Sequence, residues 1–137
     1  MKHAIKSVVL GLSLVLANGN VAYAQDSQKA QQAYENGDYA IALKEWRLLA
    51  KQGNADAQFN LGYMYENGRG VVQDFTEAAS WYRLAAKQGN ARAQSNLGVM
   101  YHYGQGVIQD NVYAHMWLNI AASSGDDVAL KNRDIIT

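Results

Sequence analysis

From about residue 25 onward, apolar residues recur at helical spacing in short runs, and each run but the last is closed by a glycine. The pattern predicts helices near 26–36, 39–52, 55–67, 75–88, 91–103, 111–124 and 127–136. Ala30, Ala33 and Tyr34 share one face of the first. Asp38, Asp74 and Asp110 stand where helices should start, because an Asp side chain accepts bonds from the first free backbone N–H groups. Asp74 also has Glu77 three residues on, the arrangement of a capping box. Gly53, Gly89 and Gly125 stand where helices should end, since glycine takes the left-handed conformation at little cost. Each is followed at once by another capping residue, Asn54, Asn90 or Asp126, which gives tight αα-hairpins.

The pattern also repeats. Asp38–Gln73 and Asp74–Gln109, two blocks of 36 residues, agree at 21 positions without a gap. A third copy keeps phase from Asp110 through Ala114, Trp117, Ala122 and Gly125. A period of this length signals stacked units, each of which needs its neighbours to bury its apolar face. The expected fold is an all-α superhelix, right-handed, of stacked helix hairpins. Its divisions are an N-terminal hairpin over 25–53, repeats over 54–89 and 90–125, and a capping helix over 126–137. The expected core is Leu48, Leu61, Met64, Tyr65, Val71, Ala78, Leu84, Leu97, Met100, Tyr101, Val107, Trp117 and Ile120. Gly62 and Gly98 lie inside predicted helices, where glycine costs about 1 kcal/mol relative to Ala. That cost, incurred twice at one phase, predicts close approach of a neighbouring helix, with Ala50, Ala86 and Ala122 as the small partners.

The repeat singles out one face. Between Ala55 and Asn67 and its copy, five pairs differ: Asp56/Arg92, Phe59/Ser95, Tyr63/Val99, Glu66/His102 and Asn67/Tyr103. Their spacing puts them on one side of a helix. Positions that recur are those that stacking requires, so this side is free of that demand. Aromatic rings rimmed by arginine and acids are typical of interface anchors, whereas a merely solvated face has little use for them.

Composition narrows the function classes. Lys2, His3 and Lys6 precede the apolar run Val8–Ala17, and Ala22-Tyr23-Ala24 has the small-x-small pattern of a signal-peptide cleavage site. The run is too short to span a bilayer, which needs roughly 20 residues. The expectation is an exported protein, periplasmic or secreted, with residues 1–24 removed and no stable membrane span afterwards. Without Lys2 and Lys6 the chain keeps ten basic and twelve acidic side chains, a net charge near −2, with no basic stripe suited to nucleic acid. There is no cysteine, so packing alone holds the fold. The loops opening Gly68-x-Gly70-Val71 and Gly104-x-Gly106-Val107 lack the third glycine and the preceding strand of a phosphate-binding loop, and are read as backbone turns. Beyond residue 24 only His102 and His115 are histidines, not at zinc-ligand spacing, and Ser-x-x-Lys and Gly-x-Ser-x-Gly are absent. Asp126-Asp127 reads as helix N-terminal charge. No catalytic residue, metal site or cofactor is expected. Self-association through Val128, Ile135 and Ile136, which share a side, is left open, as is the oligomeric state.

Ala57-x-x-x-Leu61-Gly62-x-x-Tyr65-x-x-Gly68-x-Gly70-Val71-x-x-Asp74, continued by Ala78, Trp81-Tyr82, Ala85-Ala86 and Gly89, resembles the pattern of the Sel-1-like repeat family, a branch of the tetratricopeptide-like superhelices. The second copy runs from Ala93 through Leu97-Gly98, Tyr101, Gly104-x-Gly106-Val107 and Asp110 to Ala114, Trp117, Ala121-Ala122 and Gly125. Val72 and Ile108 stand where many members have proline. The resemblance implies a small exported bacterial member acting as a non-enzymatic scaffold for proteins or peptides. In such superhelices the first helix of each pair faces the concave groove. The resemblance therefore gives Asp56, Phe59, Tyr63, Glu66, Arg92, Val99, His102 and Tyr103 a partner-binding role there. The partner would be a segment or helix of another envelope or secreted protein. The alternatives are a structural subunit of an envelope complex, or a β-lactam-binding or β-lactam-hydrolysing protein like cysteine-rich relatives of the family.

Overall fold

The computed structural model describes residues 21–136, in which all regular structure is helical. Residues 21–35 form α1. It is followed by α2 (Tyr39–Lys51), α3 (Ala55–Asn67), α4 (Phe75–Lys87), α5 (Ala91–Tyr103), α6 (Asn111–Ser123) and α7 (Asp127–Ile136). The first helix is already formed at residue 21, not 26, so Ala22-Tyr23-Ala24 lies on it. The basic start and apolar run of the expected leader lie outside the described residues. The chain divides within α2 into two compact units, one ending at Glu45 and one starting at Trp46.

In the first unit, α1 turns into α2 at Gly37, whose φ is +81°. Asp38 N–H closes the turn on the Ala33 carbonyl (2.8 Å), and Lys29 Nζ meets Glu45 Oε1 at 2.8 Å.

The second unit is held by devices that recur every 36 residues. Asn54 and Asn90 cap α3 and α5 by accepting from Ala57 N and Ala93 N, and Asp74 and Asp110 cap α4 and α6 by accepting from Glu77 N and Tyr113 N. The capping box at Asp74 is only half made. The Asp74 N–H is engaged by the Tyr65 carbonyl (2.9 Å), and Glu77 Oε1 turns forward to accept from Trp81 Nε1 (3.2 Å). Buried Gln58 and Gln94 reach across their hairpins to the Ala50 and Ala86 carbonyls at 3.1 and 3.0 Å. Arg47 and Arg83 donate to the Tyr65 and Tyr101 hydroxyls at 2.9 and 3.1 Å. These recurrent bonds explain why the same residues recur: a buried amide left unpaired costs more than the bond returns.

The buried stripe of α4 is Ala78, Ala79, Tyr82, Ala85 and Ala86, and that of α6 is Ala114, Leu118 and Ala121. Leu61, Met64, Ala78, Leu97 and Met100 are fully buried as expected, and Tyr65, Tyr101, Val107 and Trp117 pack partly buried against the core. Leu48, Leu84 and Ile120 are not core: they are 51%, 46% and 41% exposed. All three hold one repeat phase, one that falls beside the helical stripe and not on it. The core positions two residues earlier are Trp46, Tyr82 and Leu118, all buried. Gly62 and Gly98 do mark close approach, but not to the alanines. A Cβ on Gly62 would lie 2.6 Å from the Tyr82 ring, and one on Gly98 2.8 Å from Leu118 Cγ. Each glycine is a socket for the large residue of the following helix.

Candidate functional site

Residues from three successive hairpins converge on one cleft. Phe59 and Tyr63 come from α3, Arg92, Ser95 and Asn96 from α5, and Asp126 and Val128 from the start of α7; the cleft holds about 200 Å3. Phe59 and Tyr63, one helical turn apart, set their rings 6.3 Å centre to centre. Phe59 also packs on Tyr82, 5.6 Å away. The Arg92 guanidinium carbon lies 4.3 Å from the Phe59 ring centre, a cation–π contact that keeps the charge at the rim. Asp126 Oδ1 accepts from Ala129 N (2.7 Å), so its charge is turned toward the free N–H groups of α7. Ser95 Oγ is buried and, among the described residues, has no hydrogen-bond partner.

The predicted face does not stay together as one exposed stripe. Phe59, Tyr63 and Arg92 meet in the cleft, but Phe59 is 7% exposed and belongs to the core cluster, as does its neighbour Tyr82. Glu66 is engaged inside the fold by the Tyr82 hydroxyl, which donates to its carboxylate. Asp56 accepts from Asn90 Nδ2 (3.0 Å), linking the starts of α3 and α5. Val99 is half-buried. His102 Nδ1 lies 2.9 Å from Asn111 Oδ1, and its ring stands edge-on to Tyr103, 4.7 Å away. Tyr103 is 62% exposed, and with His102 sits outside the residues lining the cleft.

Sequence reasoning missed Ser95, Asn96, Asp126 and Val128 as cleft residues. Asn96 recurs as Asn60 and so reads as a stacking position, Asp126 reads as a helix cap, and Val128 enters only the self-association that the sequence leaves open. The usable signal was the Phe59/Ser95 exchange itself, since a serine in place of a ring leaves room. A second hollow, about 530 Å3, is lined by Arg83, Tyr101 and Asp110 among others, but its arginine bonds the Tyr101 hydroxyl and its aspartate caps α6. Among the described residues no three His, Cys, Asp or Glu side chains group as metal ligands, and no helix is long and apolar enough to cross a membrane.

Tyr82 carries the one large titration shift described. Burial first, and then the Glu66 charge, hold its hydroxyl well above the ordinary tyrosine range. The folded chain keeps this proton where the unfolded chain releases it. The contribution is complete below about pH 10 and is lost as pH rises above it, by up to about 1.4 kcal/mol per pH unit. Urea titrations near pH 9 and near pH 11 should show a larger loss for the wild type than for Tyr82→Phe; equal losses would remove the effect.

A family model described as Sel1 repeat matches residues 55–90 and 91–126. Among solved structures, the chain is similar to a Sel1 repeat protein from Oxalobacter formigenes, with 40% identity, a TM-score of 0.69, and coverage of 72% of this chain and 29% of that one. It is similar as well to a protective antigen present in uropathogenic Escherichia coli strains that displays an SLR fold. Identity there is 37% and the TM-score 0.69, over 78% of this chain and 26% of that one. The chain thus spans less than a third of the length of these two relatives. Helicobacter pylori cysteine rich protein B shares the fold, at 22% identity and a TM-score of 0.61, over 80% of this chain and 93% of that one. No match was found among the curated proteins.

Proposed function

The chain belongs to the Sel1 repeat family, and from that premise we propose that it is a non-enzymatic module that holds a segment of a partner protein against α3, α5 and α7. Sel1 repeats generally serve protein–protein interaction, and their folds are scaffolds more often than catalysts. The observation that carries the reading for this chain is the convergence of α3, α5 and the start of α7 on one cleft, with Tyr63 and Arg92 exposed at its edge. Tyr103 extends the same side of α5 beyond it. Export to the envelope or beyond is part of the proposal, supported by the basic, apolar and small-residue order of residues 1–24.

The combined variant Tyr63→Ala, Arg92→Glu, Tyr103→Ala should lose capture of the partner from an envelope fraction, at least tenfold. Its melting temperature should fall by no more than a few degrees, because exposed side chains contribute within about 0.5 kcal/mol each. Capture at wild-type level would dismiss the face. A chromogenic β-lactam assay on the purified protein should show no turnover.

A further inference from the structure

We infer that the cleft between α3, α5 and α7 is an anchor pocket for an aromatic side chain, carried by an extended acidic segment of the partner. The inference rests on the interaction reading above and gives it a chemistry.

Register supplies the first support. Ser95 holds in α5 the position that Phe59 holds in α3, so one copy fills its face with a ring and the next leaves a hollow of about 200 Å3. A cavity of about 150 Å3 with apolar walls admits benzene, so a phenyl or phenol ring has room here. Phe59 and Tyr63 form one wall and offer the ring offset or edge contacts. A ring from the partner would take the place of the one the second copy lacks.

Polarity supplies the second. Ser95 is 2% exposed, lines the cleft, and its hydroxyl has no partner among the described residues. A buried hydroxyl is normally paired, and leaving it unpaired is unfavourable. An extended segment presents a backbone N–H and C=O beside each side chain, either of which satisfies a hydroxyl.

Charge supplies the third and sets the flanks. Arg92 stands over Phe59 at the rim and makes no ion pair among the described residues, while the Asp126 carboxylate is turned to the start of α7. The positive charge without an ion-pair partner at the rim is the guanidinium, and a carboxylate next to the aromatic residue is its complement. Tyr103, open farther along α5, leaves the segment a surface to follow past the pocket.

The test is a two-dimensional amide NMR titration of the purified protein with capped tripeptides. Acetyl-Asp-Phe-Asp-amide should give saturable shifts at Phe59, Arg92 and Ser95. Acetyl-Asp-Ala-Asp-amide and acetyl-Lys-Phe-Lys-amide should bind at least tenfold more weakly. Ser95→Phe should fill the pocket and abolish those shifts with the melting temperature unchanged or raised. Ser95→Ala, the gentler change, should keep or raise the melting temperature and weaken binding severalfold. A residue needed only for packing would not give higher stability together with weaker binding. No shifts, shifts elsewhere, or wild-type binding by Ser95→Phe would overturn the pocket. If partner capture still depends on Tyr63, Arg92 and Tyr103 in that event, the groove reading stands without this anchor. If capture is independent of them too, both fall.

Discussion

Gly106→Ala is expected to lower the melting temperature by more than about 10 °C, from a loss of roughly 3–4 kcal/mol. Two separate penalties meet at this residue. Its φ is +67°, in the left-handed region, which costs an L-residue about 1–2 kcal/mol. A Cβ there would also run into the Phe75 carbonyl oxygen and lie 2.6 Å from Thr76 N. Both are backbone atoms, and rotation of a side chain cannot relieve them. The turn from Gly104 to Gln109 rests on the start of α4, so it must lift off or the start of α4 must move. Gly89→Ala is the control. Gly89 has φ of +96° with nothing within 4 Å of the added Cβ, so only the conformational term applies, about 1 kcal/mol. Thermal and urea melts of the two variants separate the contributions. A Gly106→Ala protein that melts with Gly89→Ala would mean that the loop does not bear on α4.

That loop also shows what the sequence could and could not reveal. Its frame was readable: Gly68 and Gly104 end their helices with φ of +62° and +66°, and the aspartates at 74 and 110 start the next. A backbone conformation only glycine takes easily, and a cap only a few side chains make, leave a signature in residue identity. The internal repeat then gave the hairpins and nearly all helix ends within a residue or two. What it did not give was which side of α2, α4 and α6 is buried. Leu84 reads as core by its apolar side chain, although the stripe through Ala78, Tyr82 and Ala85 excludes it. Identity of a residue does not report its azimuth, and in a helix rich in alanine the small buried residues give a weak signal. The candidate site was legible in part for a related reason. Difference between copies suggests freedom from packing. Phe59 and Glu66 differ from Ser95 and His102, yet both are packed, because their neighbours on the following helix differ as well.

That last point carries the second large effect. The first copy pairs Glu66 with Tyr82, the second has His102 and Leu118 at the same two phases, and His102 turns to Asn111 instead. Tyr82 is fully buried, fills the socket at Gly62, packs on Phe59 and donates to Glu66. Tyr82→Leu, which imposes the second copy's residue on the first, is expected to cost about 3 kcal/mol, part from the space left beside Phe59 and part from the lost bond. Glu66→Ala removes the acceptor but leaves the ring packed, and is expected to cost about 1–2 kcal/mol. Together they should cost less than the sum by about 1 kcal/mol, since either change alone strands the other group. Urea unfolding of the wild type, both single variants and the double variant closes this cycle. Coupling of that size means the difference between the copies at Glu66 and His102 follows the packing partner. Simple additivity would return Glu66 to the set of side chains left free to meet a partner protein.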